Sequence, residues 1–366
     1  MKTRIMIPTL IGVISVSAAL LIYGLTWNCK PHIPVLWVAP RGEKIVCIRT
    51  SARKGHILVC SQCDGKWVLR DVDSHGNAHV VSSGYGYLQS VLSVTAPDWS
   101  GTKCLIGLRM SGKTLWHLAE CNLRTGRVRE ITHLVGCTTF NLLQPYSPDG
   151  RRAVVVGHRK VGATAVKCWL ATKDWDSLQD LHCGGNGFKY AMWDKSGRCY
   201  VYSSRDGKLF IVEPSGARRT VQFPAAWLGY VFPSGQEMLL LQQGRSGLHL
   251  LRANLRTAKC DTIYRCTSKG ADRANVCGIQ HSCYSKESTI NIVWPGVRPL
   301  YIDSGLNVRE LDLPETIRWR LVAGIAILEN GVLAVVQNDG EGSPDKLVAV
   351  SVAHYSVDSH DRLPKK

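Results

Sequence analysis

The sequence predicts an all-β fold, a seven-bladed β-propeller, preceded by one transmembrane helix. Three observations lead to this prediction. An apolar strand, a turn ending in glycine and a second apolar strand recur along the chain about every 46 residues on average. Helical periodicity is nearly absent after residue 30, and a long uncharged apolar run stands before that point. Four short strands in each repeat of this length are typical of propeller blades.

Composition supports a folded chain with a large core. Of 366 residues, 45% are hydrophobic and 20% are charged, which excludes intrinsic disorder. The 34 glycines follow no fixed period, which excludes a collagen-like chain. The length suits two or three ordinary domains or one large all-β domain.

The N-terminal segment differs from the rest of the chain. Lys2 and Arg4 precede the uncharged run Ile5–Trp27, whose 23 residues would span about 34 Å as a helix. That length crosses a hydrocarbon core of roughly 30 Å. We therefore expect residues 1–30 to form a cytoplasmic stub and a signal anchor spanning 5–27, with the remaining chain outside the membrane. The alternative is secretion after cleavage of a signal peptide at the small residues 16–18.

The repeat is clearest at Tyr146–Gly150, which is followed by the apolar run Ala153–Val156. Proline and aspartate favour the early positions of a tight turn, and glycine accepts the positive φ that ends it. Six of the seven copies end on glycine, and one is degraded to glutamate. The seven anchor positions are Gly55, Gly101, Gly150, Gly197, Gly235, Glu287 and Gly331.

A second hairpin follows each anchor, so each unit holds four strands. Blades bury their faces only against their neighbours, and the ring must therefore close. The last unit has only three clear strands, whereas Ile33–Val38 is a strand without a unit. We predict that Ile33–Val38 supplies the outer strand of blade seven and removes a free sheet edge. The propeller would then span 31–353, and a polar tail would occupy 354–366.

Two copies of the repeat carry a family resemblance. Tyr-Ser-Pro-Asp-Gly at 146–150 and Trp-x-x-Ser-Gly at 193–197 resemble the repeat of TolB-like propellers, which fall among the WD-like repeats. The resemblance covers about 32–353 and is specific for fold and weak for function. The wider group includes partner-binding periplasmic propellers and propellers attached to peptidase domains. This chain departs from it in having Glu287 at an anchor, no appended catalytic domain, and no Trp-Asp pair at the end of a third strand.

No recognisable catalytic or cofactor motif occurs in the sequence. There is no Gly-x-Ser-x-Gly elbow, no His-Glu-x-x-His and no P-loop. We therefore predict no catalytic residue, no metal ligand and no cofactor, and Cys60-x-x-Cys63 is a lone pair with no partner pair. The glycine-rich segments 84–86 and 184–187 are predicted to be loops between blades, where they would line the mouth of the central channel.

The chain contains 14 cysteines, and outside the cytoplasm cysteines are often oxidised. The pairs that flank hairpin turns are the candidates for disulfides; they are Cys47 with Cys60 and Cys168 with Cys183. Looser candidates are Cys104 with Cys121, Cys260 with Cys266, and Cys277 with Cys283. The alternative is that cysteine serves as a small buried apolar residue.

The net charge is +17 for the whole chain and +14 beyond residue 30. This charge fits a solvated basic surface or attraction to an acidic partner. Basic residues are dispersed among hairpin turns without interleaved aromatics, which argues against nucleic acid. We expect a monomeric binding or scaffolding module of the cell envelope, which recognises a protein partner or an acidic envelope component. The alternative is a propeller enzyme with a site at the channel mouth that acts on a glycan or a peptide.

Overall fold

A computed structural model of the protein describes part of the chain. The described residues are 33–88, 94–109, 117–135, 142–157, 167–183, 189–244, 247–266, 275–281, 288–293, 298–303, 305–314, 317, 324–329, 331–340 and 342–358. The chain divides into two compact units, Met1–Pro34 and Val35–Lys366, and the second of these holds the propeller.

The strands form seven sheets, one for each blade. The first strand in the chain, β1 (Val35–Val38), belongs to the last blade. Blade one is the sheet of β2 (Lys44–Thr50), β3 (His56–Cys63), β4 (Lys66–Asp73) and β5 (Ala78–Tyr85). Blade two is the sheet of β6 (Tyr87–Leu88), β7 (Lys103–Arg109), β8 (His117–Asn122) and β9 (Val128–Val135).

The strand that precedes blade three in the chain belongs to the sheet of blade four. The strand β10 (Leu142–Gln144) pairs in parallel with the first strand of blade four. Blade three is otherwise the sheet of β11 (Arg152–Gly157), β12 (Lys167–Thr172) and β13 (Leu178–Asp180). Blade four adds β14 (Lys189–Trp193), β15 (Cys199–Ser203), β16 (Lys208–Val212) and β17 (Arg218–Gln222).

The last three blades complete the ring. Blade five is the sheet of β18 (Leu228–Val231), β19 (Glu237–Gly244), β20 (Gly247–Asn254) and β21 (Cys260–Cys266). Blade six contains β22 (Asn275–His281), β23 (Ser288–Val293), β24 (Leu300–Ile302) and β25 (Val308–Leu311). Blade seven contains β26 (Ile325–Glu329), β27 (Val332–Gln337) and β28 (Lys346–Ser351), with β1 as its outer strand.

The predicted ring closure is confirmed. β1 pairs antiparallel with β28, and Val35 lies opposite Val348 while Val38 lies opposite Lys346. The N-terminal strand therefore completes the sheet that the C-terminal strands begin, and blade seven has no free outer edge at β28.

The repeat turns have the predicted conformation. All six glycine anchors have a φ between 66° and 81°, a region that L side chains rarely adopt. Position 287 lies outside the described residues. Asp98 shows why aspartate precedes the glycine: its Oδ1 accepts hydrogen bonds from the backbone N–H groups of Thr102 and Lys103 at 2.6 and 2.9 Å.

The C-terminal segment differs from the expected polar tail. A short helix, α1 (Val352–Tyr355), follows β28 and leads into β29 (Ser356–Asp358). β29 pairs antiparallel with β25 as a fifth strand of blade six. The propeller thus extends to residue 358 instead of 353, because these residues cover the edge that blade six would otherwise expose.

The apolar core lies between adjacent blades. One cluster of buried side chains joins blades seven and one, and another joins blades one and two. Two larger clusters continue this packing through blades two to four and blades four to six. The interfaces between blades therefore hold the core, as a ring of stacked sheets requires.

The transmembrane prediction falls on residues 5–27, which lie outside the described residues. Within the part of the chain that the structure describes, no helix has the length and apolar character needed to cross a bilayer.

Candidate functional site

A cavity of about 230 Å³ opens between blades one and two. Its walls come from β4 and β5 of blade one and from β7, β8 and β9 of blade two. The side chains that give it chemical character are Trp67, Tyr85, His117, Val128 and Glu130, and Gly84 lies in its wall. Strand pairing fixes these residues, because every one of them belongs to a β-strand.

Trp67 is the unusual residue of this cavity. Its side chain is buried, with 2% exposure, yet the indole Nε1 has no hydrogen-bond partner among the described residues. A buried donor without a partner costs about 1–3 kcal/mol in desolvation. The Nε1 atom itself has essentially no accessible surface, so it is enclosed in the packing between the two blades.

Gly84 makes room for the indole. It lies opposite Trp67 on the neighbouring strand. A Cβ at position 84 would lie 3.0 Å from Cζ2 and 3.2 Å from Nε1 of Trp67, closer than ordinary van der Waals contact. The glycine therefore allows the ring to lie flat against β5.

The polar end of the cavity is formed by His117 and Glu130. Nδ1 of His117 lies 2.9 Å from Oε1 of Glu130, which is an ion pair when the imidazole is protonated. The Glu130 side chain is 41% exposed, whereas that of His117 is 12% exposed. The cavity thus combines an apolar aromatic wall with one carboxylate that solvent and ligands can reach.

Exposed aromatic residues stand at the edge of the cavity. Tyr85 is 77% exposed although it contributes to the wall. Tyr87 is also exposed, and the guanidinium of Arg109 lies 5.9 Å from its ring centroid. Exposed tyrosines of this kind are enriched at binding surfaces, because a tyrosine offers a large contact area at a low entropic cost.

The glycine-rich segment 84–86 was predicted at the mouth of the channel, and the structure corrects this. Gly84 and Tyr85 end β5, the outermost strand of blade one, and they line the cavity between the blades. The strand continues through Gly84 because the small residue accommodates Trp67. The second segment, 184–187, lies outside the described residues.

The structure brings two predicted cysteine pairs together. Cys47 lies directly opposite Cys60 on the neighbouring strand. Cys183 follows β13, which pairs with the strand that carries Cys168. The neighbouring thiol of Cys47, together with burial, raises the pKa of Cys60, and the neighbouring thiol of Cys183, together with burial, raises the pKa of Cys168. All four are thiols in this structure.

Of the looser cysteine candidates, one pair lies close together and another lies far apart. Cys104 lies directly opposite Cys121 on neighbouring strands, as Cys47 lies opposite Cys60. Cys260 and Cys266, in contrast, stand at the two ends of the same strand, β21. Six residues of extended chain cover about 20 Å, so these two cannot be bonded to each other. Cys283 lies outside the described residues.

Metal ligation was not predicted, and the described residues contain no group of three or more potential ligands. Cys60 is buried, whereas Cys63 lies beside Asp64 at the end of β3, 3.4 Å from its carboxylate. The two cysteines of the Cys60-x-x-Cys63 segment thus lie in different surroundings.

Exposed basic side chains occur in three neighbouring blades, two, three and four, and we call this set the basic belt. Arg129 reaches the carbonyl of Lys173 in the next blade at 3.5 Å, and Arg218 reaches the carbonyl of Leu181 at the same distance. These two contacts link blade three to each of its neighbours. The exposed members of the basic belt are Arg124, Arg127, Arg129, Arg151, Lys173, Arg218 and Arg219.

Several known structures are similar to this chain. Oligogalacturonate lyase from Vibrio parahaemolyticus is 12% identical, with 88% of this chain and 94% of that chain covered and a TM-score of 0.57. The acylaminoacyl peptidase of Pyrococcus horikoshii is 10% identical, with 84% of this chain but only 51% of that chain covered and a TM-score of 0.54. TolB from Acinetobacter baumannii is 12% identical, with 86% of this chain and 65% of that chain covered and a TM-score of 0.46.

At these identities the likeness concerns the fold. The chain is a seven-bladed β-propeller. The resemblance of its repeat to TolB-like propellers is thereby confirmed at the level of architecture. No protein-family model and no curated protein sequence matches the chain.

Proposed function

We propose that this propeller is a binding module of the cell envelope, held at the membrane by residues 5–27 and exposed outside it. Its partner is a protein or another envelope component with an acidic surface. The observation that carries the proposal is the basic belt, a set of seven exposed cations distributed over three neighbouring blades. The TolB-like architecture agrees with such a role, since propellers of this kind include partner-binding members.

The basic belt is partly neutralised by the chain itself. Arg129 pairs with Glu120 at 3.3 Å and Arg219 with Glu213 at 3.7 Å, whereas Arg124 and Arg127 form no ion pair among the described residues. Arg152, one of the arginines in the repeat turns, is not part of the belt, because its guanidinium packs 5.0 Å above the Trp193 ring. An excess of exposed positive charge accelerates encounter with an acidic partner, and salt weakens the effect.

Binding of poly-L-glutamate to the full chain in a polyoxyethylene detergent tests the proposal. We expect affinity to fall steeply as salt rises, and the triple variant Arg124→Glu, Arg127→Glu, Arg151→Glu to bind much more weakly. The triple variant Lys54→Glu, Arg256→Glu, Lys259→Glu is the matched control, because it changes the net charge equally at exposed positions outside the belt. Equal loss in both variants would contradict a role of the belt, and turnover of a glycan or peptide would favour the enzyme alternative.

The membrane anchor has its own test. Replacing Val13 and Ser17 with arginine should release the protein from membranes, because each arginine near the centre of a span costs about 2.5–3.5 kcal/mol. A natural protein that is already soluble and begins near Ala19 would contradict the anchor and support secretion.

The proposed compartment also predicts disulfides. In an oxidising compartment the pairs Cys47 with Cys60, Cys104 with Cys121 and Cys168 with Cys183 should each lose two protons and two electrons to a disulfide oxidant. Cys47 with Cys60 and Cys104 with Cys121 are directly opposed on antiparallel strands, where Cα atoms are about 4.5–5.5 Å apart, within the range that a disulfide bridges. Peptide mass mapping without reduction measures the outcome, and fully alkylatable thiols in protein from its native compartment would contradict the extracytoplasmic location.

A further inference from the structure

We propose that the outer edge of blade six binds an extended segment of a partner protein, which adds to the blade as a further antiparallel strand. The strand β29 of the same chain covers this edge when no partner is bound. A blade of this fold is complete with four strands, whereas the sheet of blade six has five. The inference does not depend on the basic belt or on the membrane anchor.

The pairing of β29 shows that this edge accepts an added strand. β29 runs antiparallel to β25, and Val357 lies opposite Glu310. Next to the strand, the N–H of Asp312 donates to the carbonyl of Tyr355 at 2.8 Å. Hydrogen-bonded pairs alternate along an antiparallel ladder, so Glu310 with Val357 is the next hydrogen-bonded pair. The edge of β25 therefore presents donors and acceptors at the spacing that an added strand requires.

The outer strands of the other blades differ from that of blade six. In blades one, two, five and seven, the register between the outer strand and its neighbour is shifted, as at a β-bulge. A bulge twists an edge and protects it from pairing. In the remaining two blades, β13 has only three residues and β17 exposes two adjacent arginines. β25 pairs with β24 without a register shift, so its edge keeps a regular ladder, and it is the edge that the chain itself covers.

The covering segment is short and is joined to the ring by one helical turn. β29 has three residues, and α1 connects it to β28. Ser351, which precedes this helix, makes no side-chain capping bond, and of the four helical residues Val352 alone is buried. Release of the segment leaves blade six with its own four strands, so it requires local opening and not unfolding of the ring. A partner segment can therefore replace β29.

The register indicates the chemistry of the partner segment. Arg309 of β25 is half-buried, and the directly opposite position in β29 holds Asp358. Opposite charges at directly opposed positions favour an antiparallel pair, and like charges disfavour it. The preceding residue, Val357, is of a type that favours strands. We therefore expect a partner segment with an acidic residue opposite Arg309 and a β-branched residue before it.

Binding of a fluorescent peptide with the sequence of residues 353–361 to the full chain in a polyoxyethylene detergent tests this inference. The wild type should bind it weakly, because its own strand covers the edge at a high local concentration. Val357→Pro should raise the affinity about tenfold, since proline cannot donate the N–H that the ladder needs and so weakens the cover. Val357→Thr is the matched control, because it keeps the N–H and the branched side chain and should bind as weakly as the wild type.

A charge reversal tests the register. With Val357→Pro in place, Arg309→Glu should weaken binding of this peptide about two- to fivefold. It should strengthen binding of a second peptide, which carries Asp358→Lys, by a similar factor. This second result is a gain of binding and does not depend on a loss of structure, and thermal melts show whether each variant is folded.

Equal peptide affinity in Val357→Pro and Val357→Thr would overturn the inference, as would a peptide preference that Arg309→Glu leaves unchanged. Sedimentation velocity tests the other occupant of the edge, a second copy of the chain. A concentration-dependent dimer that the free peptide dissociates would show exchange of β29 between copies and would also overturn the inference. Binding of poly-L-glutamate should be the same in Val357→Pro and the wild type, so this inference and the role of the basic belt fail separately.

Discussion

Blade one meets its two neighbours in very different ways. At its interface with blade seven, the preceding strand β1 completes the sheet of blade seven, and buried hydrogen bonds join the two blades. Its interface with blade two contains a cavity and an indole N–H without a partner among the described residues. The same four-stranded sheet thus forms a hydrogen-bonded junction on one side and lines a cavity on the other.

The closing interface satisfies its buried polar groups. The backbone N–H of Ile327 donates to Oγ1 of Thr50 at 2.9 Å, and the N–H of Ile45 donates to the Asp345 carboxylate at 2.8 Å. The N–H of Gly55 donates to the carbonyl of Leu328 at 2.8 Å. All three bonds join blade one to blade seven, so the two ends of the chain are held by direct contacts that span about 300 residues of sequence.

The strand β1 is held from a second direction. Trp37 of β1 lies under the guanidinium of Arg70, which is 5.2 Å from the ring centroid. Arg70 in turn forms hydrogen bonds of 2.7 and 2.9 Å to both carboxylate oxygens of Glu43. The closing strand therefore rests on a bidentate ion pair of blade one as well as on β28.

The comparison shows which of the two interfaces tolerates a cavity. The closing junction holds the ring together, and an open contact there would release both chain ends. The interface of blades one and two is continuous in sequence and keeps its packing through other residues, among them the four buried cysteines of blades one and two. A cavity there costs local stability and leaves the ring closed.

Deletion of residues 33–38 should have the largest effect. It removes the outer strand of blade seven and exposes the edge of β28, and we expect a loss of several kcal/mol from a total that is typically 5–15 kcal/mol. Chemical denaturation measures it. Deletion of 356–366, which removes only the edge strand of blade six, is the control with a smaller expected loss. Equal effects of the two deletions would contradict a special role for closure.

Two point variants compare the interfaces directly. Asp345→Ala leaves the buried N–H of Ile45 without its acceptor and should cost about 1–3 kcal/mol. Trp67→Phe removes a donor that has no partner among the described residues, so its cost is only the lost packing of part of a buried ring, and we expect the smaller loss of the two. Urea titration of both variants gives the ranking, and a larger loss for Trp67→Phe than for Asp345→Ala would contradict the difference between the two interfaces.

A pH series tests the ion pair beneath β1. Burial alone would raise the pKa of Glu43, but hydrogen bonds from Arg70 and Ser61 outweigh burial and lower it. Since the folded pKa lies below the unfolded value near 4.3, the stabilisation is complete above that value and is lost as pH falls through the folded pKa. Glu43→Gln should therefore reduce the decrease in melting temperature between pH 6 and pH 3. An unchanged decrease would exclude Glu43 as a contributor.

The sequence was sufficient for the features that depend on local patterns. Turn residues such as the aspartate and glycine of the 98–101 turn predict the hairpins, and the unpaired strand Ile33–Val38 predicts the closure, because each signal lies within a few residues. The spacing of Cys104 and Cys121 about one hairpin likewise made them a candidate pair, and they lie opposite each other.

The cavity could not be predicted in this way. Trp67 and Gly84 come from blade one, and His117 and Glu130 come from blade two, so only the packing of two sheets brings them together. The glycine-rich segment 84–86 does mark a structural feature. Glycine is needed at position 84 because the Trp67 ring occupies the space beside it, and not because the segment forms a loop at the channel. The role of Arg152 was likewise hidden, since it depends on Trp193 in the next blade.

Amide hydrogen exchange of the full chain compares the two interfaces in one experiment. The account predicts that the N–H groups of Ile45, Gly55 and Ile327, which bond across the closing junction, exchange more slowly than the N–H groups of 83–85 and 128–130 beside the cavity. Equal exchange at the two interfaces, or faster exchange at the closing junction, would contradict the division of blade one into a tightly closed side and a side with a cavity.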